Sequence, residues 1–165
     1  MRRPIGLLAM VTALLGVGVV APVASASIAM GQSIDGVKLG ETLAQLRARF
    51  PHVRVEKNRG ETSFSVPNLR GGLSSHGVIT SFYTASALQK TSKGIHTANP
   101  PSTRGSSEVA VRKAYPSAKC NKPGFPEPDS IICTVKSRYR GRVVTTSFTL
   151  QTPSEGVGEI AIQFG

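Results

Sequence analysis

Residues 142–151, RVVTTSFTLQ, carry the clearest structural pattern in this 165-residue chain. Every second position, at Val144, Thr146, Phe148 and Leu150, holds an apolar or β-branched side chain, and most positions between them are polar. Such alternation is typical of a strand with one buried and one solvated face. The stretch therefore predicts an antiparallel sheet.

Similar patterns on both sides of this stretch extend the predicted sheet. Residues 131–138 form a predicted strand before it, and residues 159–164 form another after it. In the second of these, Ile160, Ile162 and Phe164 are predicted to point inward, because they alternate with residues predicted to face solvent.

The first half of the chain has weaker β patterns. Phe64 and Val66 alternate with serines, and residues 78–83 form a β-branched and aromatic run. Between them, residues 68–77 are rich in Gly and Ser. We therefore predict strands around Phe64 and at 78–83, with a loop over 68–77.

Two short helices are predicted from the signals at their ends. Thr42 with Gln45 three residues later is a capping box, so a helix should begin there. Pro51 ends this helix, because the residue before a proline is pushed out of the α region. A second helix is predicted to begin after Ser107 and to end before Pro116.

The two helical regions share one plan at an offset of 65 residues. Gly40 falls on Gly105, Thr42 on Ser107, Leu46 on Val111, Arg47 on Arg112, Phe50 on Tyr115 and Pro51 on Pro116. We interpret this as an internal duplication with units at 34–92 and 93–165. The predicted class is α+β, two tandem helix-plus-antiparallel-meander units with the helices packed on one face of the sheet. The sequence leaves open whether the two units share one sheet.

Residues 1–26 are typical of a secretory signal peptide. Arg2 and Arg3 precede an uncharged apolar run, and Ala24-Ser25-Ala26 is a small-x-small cleavage site. We expect cleavage near Ala26-Ser27 and a secreted, periplasmic or cell-envelope protein with no membrane span in the mature chain. Cleavage would lower the formal net charge from +11 to 18 − 9 = +9.

Cys120 and Cys133 are the two cysteines of the chain. In an oxidising compartment two thiols this close in sequence usually pair, so we predict a structural disulfide. A metal half-site and a catalytic thiol are the competing interpretations. A metal would need further ligands, and the neighbouring sequence offers no Cys or His for this role.

The sequence shows no recognisable catalytic motif. His52, His76 and His96 have no partner at metal-ligand spacing, and no G-x-S-x-G elbow or Gly-rich phosphate loop occurs. We therefore expect a protein that is not an enzyme and that uses no metal and no cofactor. A small secreted hydrolase is the least supported alternative.

The basic charge is the main functional signal. Residues 136–142 are predicted to form a basic hairpin. Phe125 lies on a Pro-rich loop between the cysteines, where it could equally contact a partner or fold back on the core. An anionic partner could bind such a hairpin, but the preferred interpretation of the charge is a solvated edge that blocks sheet-to-sheet aggregation. Nucleic acid is not expected, because few aromatic residues are interleaved with the charges. The candidate partner-binding residues are Phe125, Lys136, Arg138, Tyr139, Arg140 and Arg142.

Residues 37–46, VKLGETLAQL, resemble the "hydrophobic-x-x-Gly-Met-Thr-x-x-x-Val" opening of one fold group. That group contains BamE/SmpA-like lipoproteins and the tandem β-lactamase inhibitor protein (BLIP) family. The chain departs from the motif, because Glu41 and Ser106 replace its Met, and Val55 stands where a first-unit cysteine would be.

This resemblance implies a helix pair on an antiparallel sheet in each unit, and a disulfide from just after the helix into a strand, as Cys120 and Cys133 would form. It also implies a non-enzymatic protein-interaction module. It does not imply β-lactamase inhibition, because the chain has no Trp and its candidate hairpin is basic where that family uses an acidic one. We therefore expect an extracellular or envelope protein as the partner, and the alternative is an anionic envelope polymer or membrane surface.

Overall fold

The computed structural model describes residues 27–84, 89–98, 104–122, 130–151 and 156–165. Strands make up 53% of it, and its helices are α1 (Leu43–Arg49) and α2 (Glu108–Ala114). The predicted α+β class, with helices covering one face of the sheet in two helix-plus-meander units, is therefore wrong. The described chain is mostly β.

The helices begin and end where their signals predicted, but they are too short to form a layer of their own. Thr42 caps α1 with the predicted Gln45 capping box, and Ser107 caps α2. Each helix has seven residues and fully buries one side chain, Leu46 in α1 and Val111 in α2. Seven residues span about 10 Å, whereas an eight-stranded sheet is roughly 34 Å wide.

Eight strands form the main sheet, in the order β4-β5-β6-β7-β12-β11-β10-β9. Every neighbouring pair in it is antiparallel, and β7 pairs with β12. Strands from both halves of the chain thus lie in one sheet. Its strands are β4 (Arg54–Asn58), β5 (Glu61–Val66), β6 (Leu69–Leu73), β7 (Ile79–Thr84), β9 (Lys119–Asn121), β10 (Ile131–Tyr139), β11 (Arg142–Leu150) and β12 (Val157–Phe164).

Two-residue turns fix the register of this sheet. Arg59 and Gly60 join β4 to β5 with φ values of 47° and 88°, and Arg140 and Gly141 join β10 to β11 with φ values of 50° and 78°. Positive φ at both central positions is the conformation that matches the twist of paired strands. Glycine adopts it without steric cost, so each turn has a glycine at its second position.

A second, small sheet consists of β1 (Ser27–Ala29), β2 (Ser33–Ile34), β3 (Val37–Lys38) and β8 (Lys90–Thr91), in the order β3-β2-β1-β8. Its β1–β8 pair is parallel. Its buried side chains join the two helices and one face of the main sheet in a single hydrophobic core. In that core the Tyr115 ring stacks on Phe148 with a centroid distance of 5.6 Å.

The alternation predicted for β11 and β12 is confirmed. Val144, Phe148 and Leu150 are buried with Thr146, and Ile160 and Ile162 are buried in β12. Phe164 packs against this core while partly exposed.

The prediction of a loop over 68–77 is wrong in part, because β6 occupies Leu69–Leu73. Leu69 and Leu73 reach the core, and Gly71 between them lies beneath the Phe64 ring. Within the described residues, no helix has the length and apolar character that a membrane span requires.

Candidate functional site

The second face of the main sheet is the main candidate surface, and we call it the open face. Its side chains alternate with the core residues, and one complete row crosses all eight strands in register. No residue of this row is buried, and its members from β4 to β9 are Arg54, Ser65, Arg70, Tyr83, Ala161, Ser147, Thr134 and Lys119.

Small polar side chains fill the middle of the open face. The row beside the first one passes through Ser81, Gln163 and Thr145 before it reaches Lys136. Short hydroxyl side chains leave a shallow surface with hydrogen-bonding groups across it.

Among the described residues, large exposed apolar side chains occur at three positions, and two of them lie on this face. Tyr83 is 39% exposed and Val143 is 41% exposed, whereas Val109, the third, lies on α2. Tyr83 is in register with Ser147 and not with Val143, so these are two separate apolar contact points among polar side chains and not one continuous apolar patch.

A groove of about 1000 Å³ lies at the β4–β7 end of the open face. We call it the arginine groove, because Arg54 and Arg70 line it on either side of Ser65. It is also lined by His52, Glu56, Ser63, Phe64, Val66, Pro67, Asn68, Leu69, Gly71, Tyr83 and Thr84.

Gly71 determines how closely the strands under the groove pack. A Cβ at this position would collide with the backbone oxygen of Ser81 and would lie 2.6 Å from Cζ of Phe64. The missing side chain therefore lets the Phe64 ring cover β6 on the core side. Arg70 precedes Gly71 on β6, so its side chain alternates to the open side, where it lies opposite Tyr83 on β7.

The charges of the groove are mostly positive. Of its described lining residues, Arg54 and Arg70 are cationic and Glu56 is the one acid. The ion pairs within the described residues lie elsewhere, between Arg49 and Glu41 at 2.6 Å and between Arg112 and Glu108 at 2.8 Å. These pairs involve the two helices, so they do not neutralise the arginines of the groove.

The structure divides the predicted hairpin site into two parts. Lys136 and Arg138 are exposed on the open face, while Tyr139 alternates to the core side. The Arg140 guanidinium lies 5.3 Å from the centroid of the Tyr139 ring, and that of Arg142 lies 3.7 Å from the Phe164 centroid. Both arginines of the tip thus contact aromatic rings of their own sheet. Phe125, the remaining candidate, lies outside the described residues.

The predicted disulfide is confirmed. Cys120 on β9 and Cys133 on β10 are directly opposite each other, with an S–S distance of 2.04 Å. The pair links the edge strand β9 to its neighbour. The interpretations as a metal half-site and as a catalytic thiol are thereby excluded for these two residues.

His96 and Ser106 form the arrangement closest to a nucleophile–base pair. Ser106 Oγ lies 3.2 Å from His96 Nδ1, and the other ring nitrogen lies 3.2 Å from the Arg104 carbonyl oxygen. Ser106 is only 8% exposed, and its hydroxyl also accepts a hydrogen bond from the His96 backbone N–H. We interpret these contacts as structural, since they attach the segment around His96 to the start of α2.

Metal ligands do not cluster in the described part of the chain. No group of three His, Cys, Asp or Glu residues there could hold an ion. His52 borders the arginine groove, whereas exposed His76 contacts the neighbouring Ser75 hydroxyl.

A partly buried polar pair links Asp35, in the turn between β2 and β3, to the buried Gln89 next to β8. Burial raises the pKa of the Asp35 carboxyl, and a hydrogen bond from the Gln89 side-chain amide partly opposes this effect. Gln89 is 1% exposed, and its own side-chain oxygen has no hydrogen-bond partner among the described residues. This pair lies within the fold and not in the groove.

Arg54, Ser65, Arg70 and Tyr83 were not among the residues selected from the sequence. Each is ordinary by itself, and they meet only because three strand pairings place them in one row. The serine alternation around Phe64 is a sequence signal, but the glycines of Leu69–Leu73 indicate a loop where the structure has β6. Without β6 the row could not be assembled.

No protein-family model, no curated protein and no solved structure matches this chain.

Proposed function

We propose that this chain is a non-enzymatic protein-interaction module that acts outside the cytoplasm and binds its partner on the open face. The observation that carries the proposal is the arrangement of the main sheet, which has eight strands and one face in the core. On its open face, one row of side chains crosses all eight strands and contains no buried residue. Because the side chains of this row are not covered by the core, the open face offers a broad surface for a partner.

The residue types on the open face support a protein partner. Tyr and Arg are the residues most enriched at the energetic centres of protein interfaces, and Tyr83 lies beside Arg70. Eight strands are roughly 34 Å across, so a few residues along each strand give a patch of the size that one partner commonly buries, about 800 Å².

The sheet edges are less suited to binding than the face. The edge strand β4 carries Arg54, Glu56 and Lys57 exposed on both its sides. The opposite edge, β9, has only three residues. Charged or short edge strands are how natural sheets prevent strand addition, so a partner is expected on the face.

The extracellular part of the proposal is supported by the signal-peptide pattern of residues 1–26 and by the Cys120–Cys133 disulfide. Disulfides persist in oxidising compartments and are rare in the cytosol.

Site-specific photo-crosslinking tests the proposal. A photoreactive amino acid is placed at Ser147, in the centre of the open face, and in a matched control at Ala44, which is exposed on α1. Expressed in the native host, the Ser147 variant should give a discrete protein adduct and the Ala44 variant should not. Equal labelling at both sites, or none at Ser147, would refute binding on the open face.

An electrostatic binder of anionic envelope polymer is the second candidate. It is favoured by a group of cations at the other end of the open face, where Lys119, Lys136 and Arg138 lie on β9 and β10. Polymer binding through exposed charges should weaken steeply between low and moderate salt, whereas a shape-matched protein interface should lose less.

A further inference from the structure

The arginine groove has a geometry that suits a single oxyanion. Arg54 and Arg70 lie on β4 and β6, with Ser65 between them on β5. Since neighbouring strands are about 4.8 Å apart, the two arginine backbones are roughly 10 Å apart. Arginine side chains are long enough to approach a group bound above Ser65 from both sides.

The chemistry of these residues favours a carboxylate. Arginine donates two parallel hydrogen bonds to a carboxylate, and such charge-assisted pairs are about twice as strong as neutral hydrogen bonds. The Ser65 hydroxyl supplies a further donor at the base of the groove. Tyr83 stands next in the row and adds a ring against which the rest of a peptide segment can pack.

The distribution of charge along the open face favours a local acidic group over a continuous polyanion. After Arg70 the row continues through Tyr83, Ala161, Ser147 and Thr134 without another charge until Lys119. This uncharged interval covers five strand spacings, about 24 Å. A polymer with a charge on every repeat would leave its central charges unmatched along that row.

We infer that the arginine groove is the subsite that receives a carboxylate side chain from an acidic segment of the protein partner. This inference rests on the proposed function and makes it specific. It assigns the orientation of the partner, because the acidic segment must lie at the β4–β7 end of the open face.

A titration with a labelled hexaglutamate peptide at low ionic strength tests the inference, with fluorescence anisotropy as the readout. Arg54→Gln/Arg70→Gln should weaken peptide binding about tenfold or more, because hydrogen bonds to charged groups are lost. The control Arg47→Gln/Lys113→Gln removes the same charge from exposed positions on the helices and should change affinity less than about twofold. Arg54→Lys/Arg70→Lys keeps the charge but not the paired hydrogen bonds, so it should bind with intermediate affinity.

Several results would overturn the inference. The inference fails if the wild type does not bind the peptide, or if Arg54→Gln/Arg70→Gln binds it with wild-type affinity. It also fails if this variant and the helix control lose the same amount of peptide affinity. A polyphosphate of six units that binds as tightly as hexaglutamate would also overturn it, since the site would then select charge alone. All four residues substituted here are exposed, and the thermal unfolding of each variant verifies that it is folded.

Failure of this inference can be distinguished from failure of the proposed function. If photo-crosslinks form at Ser147 but the arginine substitutions leave peptide binding unchanged, the partner binds the open face without using the groove. If hexaglutamate binds through Arg54 and Arg70 but no crosslink forms at Ser147, the groove binds anions and the open face is not the protein interface.

Discussion

Replacing Gly71 with alanine should destabilise this protein far more than replacing its neighbour Gly72. A Cβ at position 71 points into the core, where it meets the Ser81 backbone oxygen and the Phe64 ring. Phe64 is 2% exposed, and the oxygen belongs to strand β7, so neither can yield without moving a strand or a packed ring. A Cβ at position 72 meets the Ser81 hydroxyl at 2.9 Å and the Thr80 hydroxyl at an ordinary 3.6 Å, and the closer group can rotate away.

The magnitude follows from these two environments. Forcing one extra carbon into a packed core commonly costs 1–3 kcal/mol, and the backbone contact places Gly71→Ala at about 2 kcal/mol. In a chain of this size such a loss lowers the melting temperature by roughly 6–8 °C. Gly72→Ala should lie within about 0.5 kcal/mol of the wild type, because a surface change avoids that cost and alanine restricts the unfolded chain slightly.

Urea unfolding of the two variants, followed by circular dichroism, measures the difference. Gly71→Ala should shift the midpoint to lower urea with an unchanged slope, since the surface exposed on unfolding stays the same. If the two variants had unfolding free energies within about 0.5 kcal/mol of each other, the packing of Phe64 over Gly71 would be refuted.

Three further variants test other parts of the fold. Cys120→Ala/Cys133→Ala should lower the unfolding free energy by about 3 kcal/mol, because closing a loop between residues 13 apart restrains the unfolded chain; a loss below about 1 kcal/mol in urea unfolding would contradict this. Thr42→Ala removes the N-cap of α1 and should cost about 1 kcal/mol, and an unchanged melting temperature would count against the observed cap. Burial raises the pKa of Asp35, and the Gln89 amide lowers it by less, so the folded protein holds this proton more tightly than the unfolded chain. Stability from this group is therefore greatest at low pH and is lost as the pH rises from the ordinary aspartate range through the raised pKa. Asp35→Asn should make the unfolding free energy less dependent on pH in this range. A pH profile of the unfolding free energy identical to that of the wild type would contradict the partial burial of the Asp35 carboxyl.

Local signals predicted the parts of this fold that depend on neighbouring residues. The Thr42–Gln45 capping box, the stop before Pro51 and the alternation in residues 142–151 are each complete within a short stretch, and the structure has a helix or strand at each place. The predicted fold class was wrong because helix signals indicate where a helix begins and ends but not how much of a sheet it covers. A helix of two turns covers little of an eight-stranded sheet.

Strand β6 shows why the rest was not predictable. Leu69–Leu73 has two glycines among five residues, which lowers its local tendency to form a strand. Contacts distant in sequence override this tendency, because Phe64 and Phe82 lie opposite Gly71 on the two neighbouring strands.

The candidate site depends on still longer-range pairing. The basic residues at 136–142 were recognisable as a hairpin, but their division between the open face and the aromatic rings of Tyr139 and Phe164 required three-dimensional coordinates. The arginine groove needs the registers of β4, β5, β6 and β7 together, and no short sequence pattern carries that information.

Hydroxyl-radical footprinting of the partner complex tests the central claim most directly. Oxidation of Tyr83, 39% exposed on the open face, is compared with oxidation of Val109, 75% exposed on α2. With the crosslinked partner purified and added at saturation, Tyr83 should become several-fold less reactive while Val109 keeps its rate. Unchanged oxidation of Tyr83, or protection of Val109 in its place, would contradict binding on the open face.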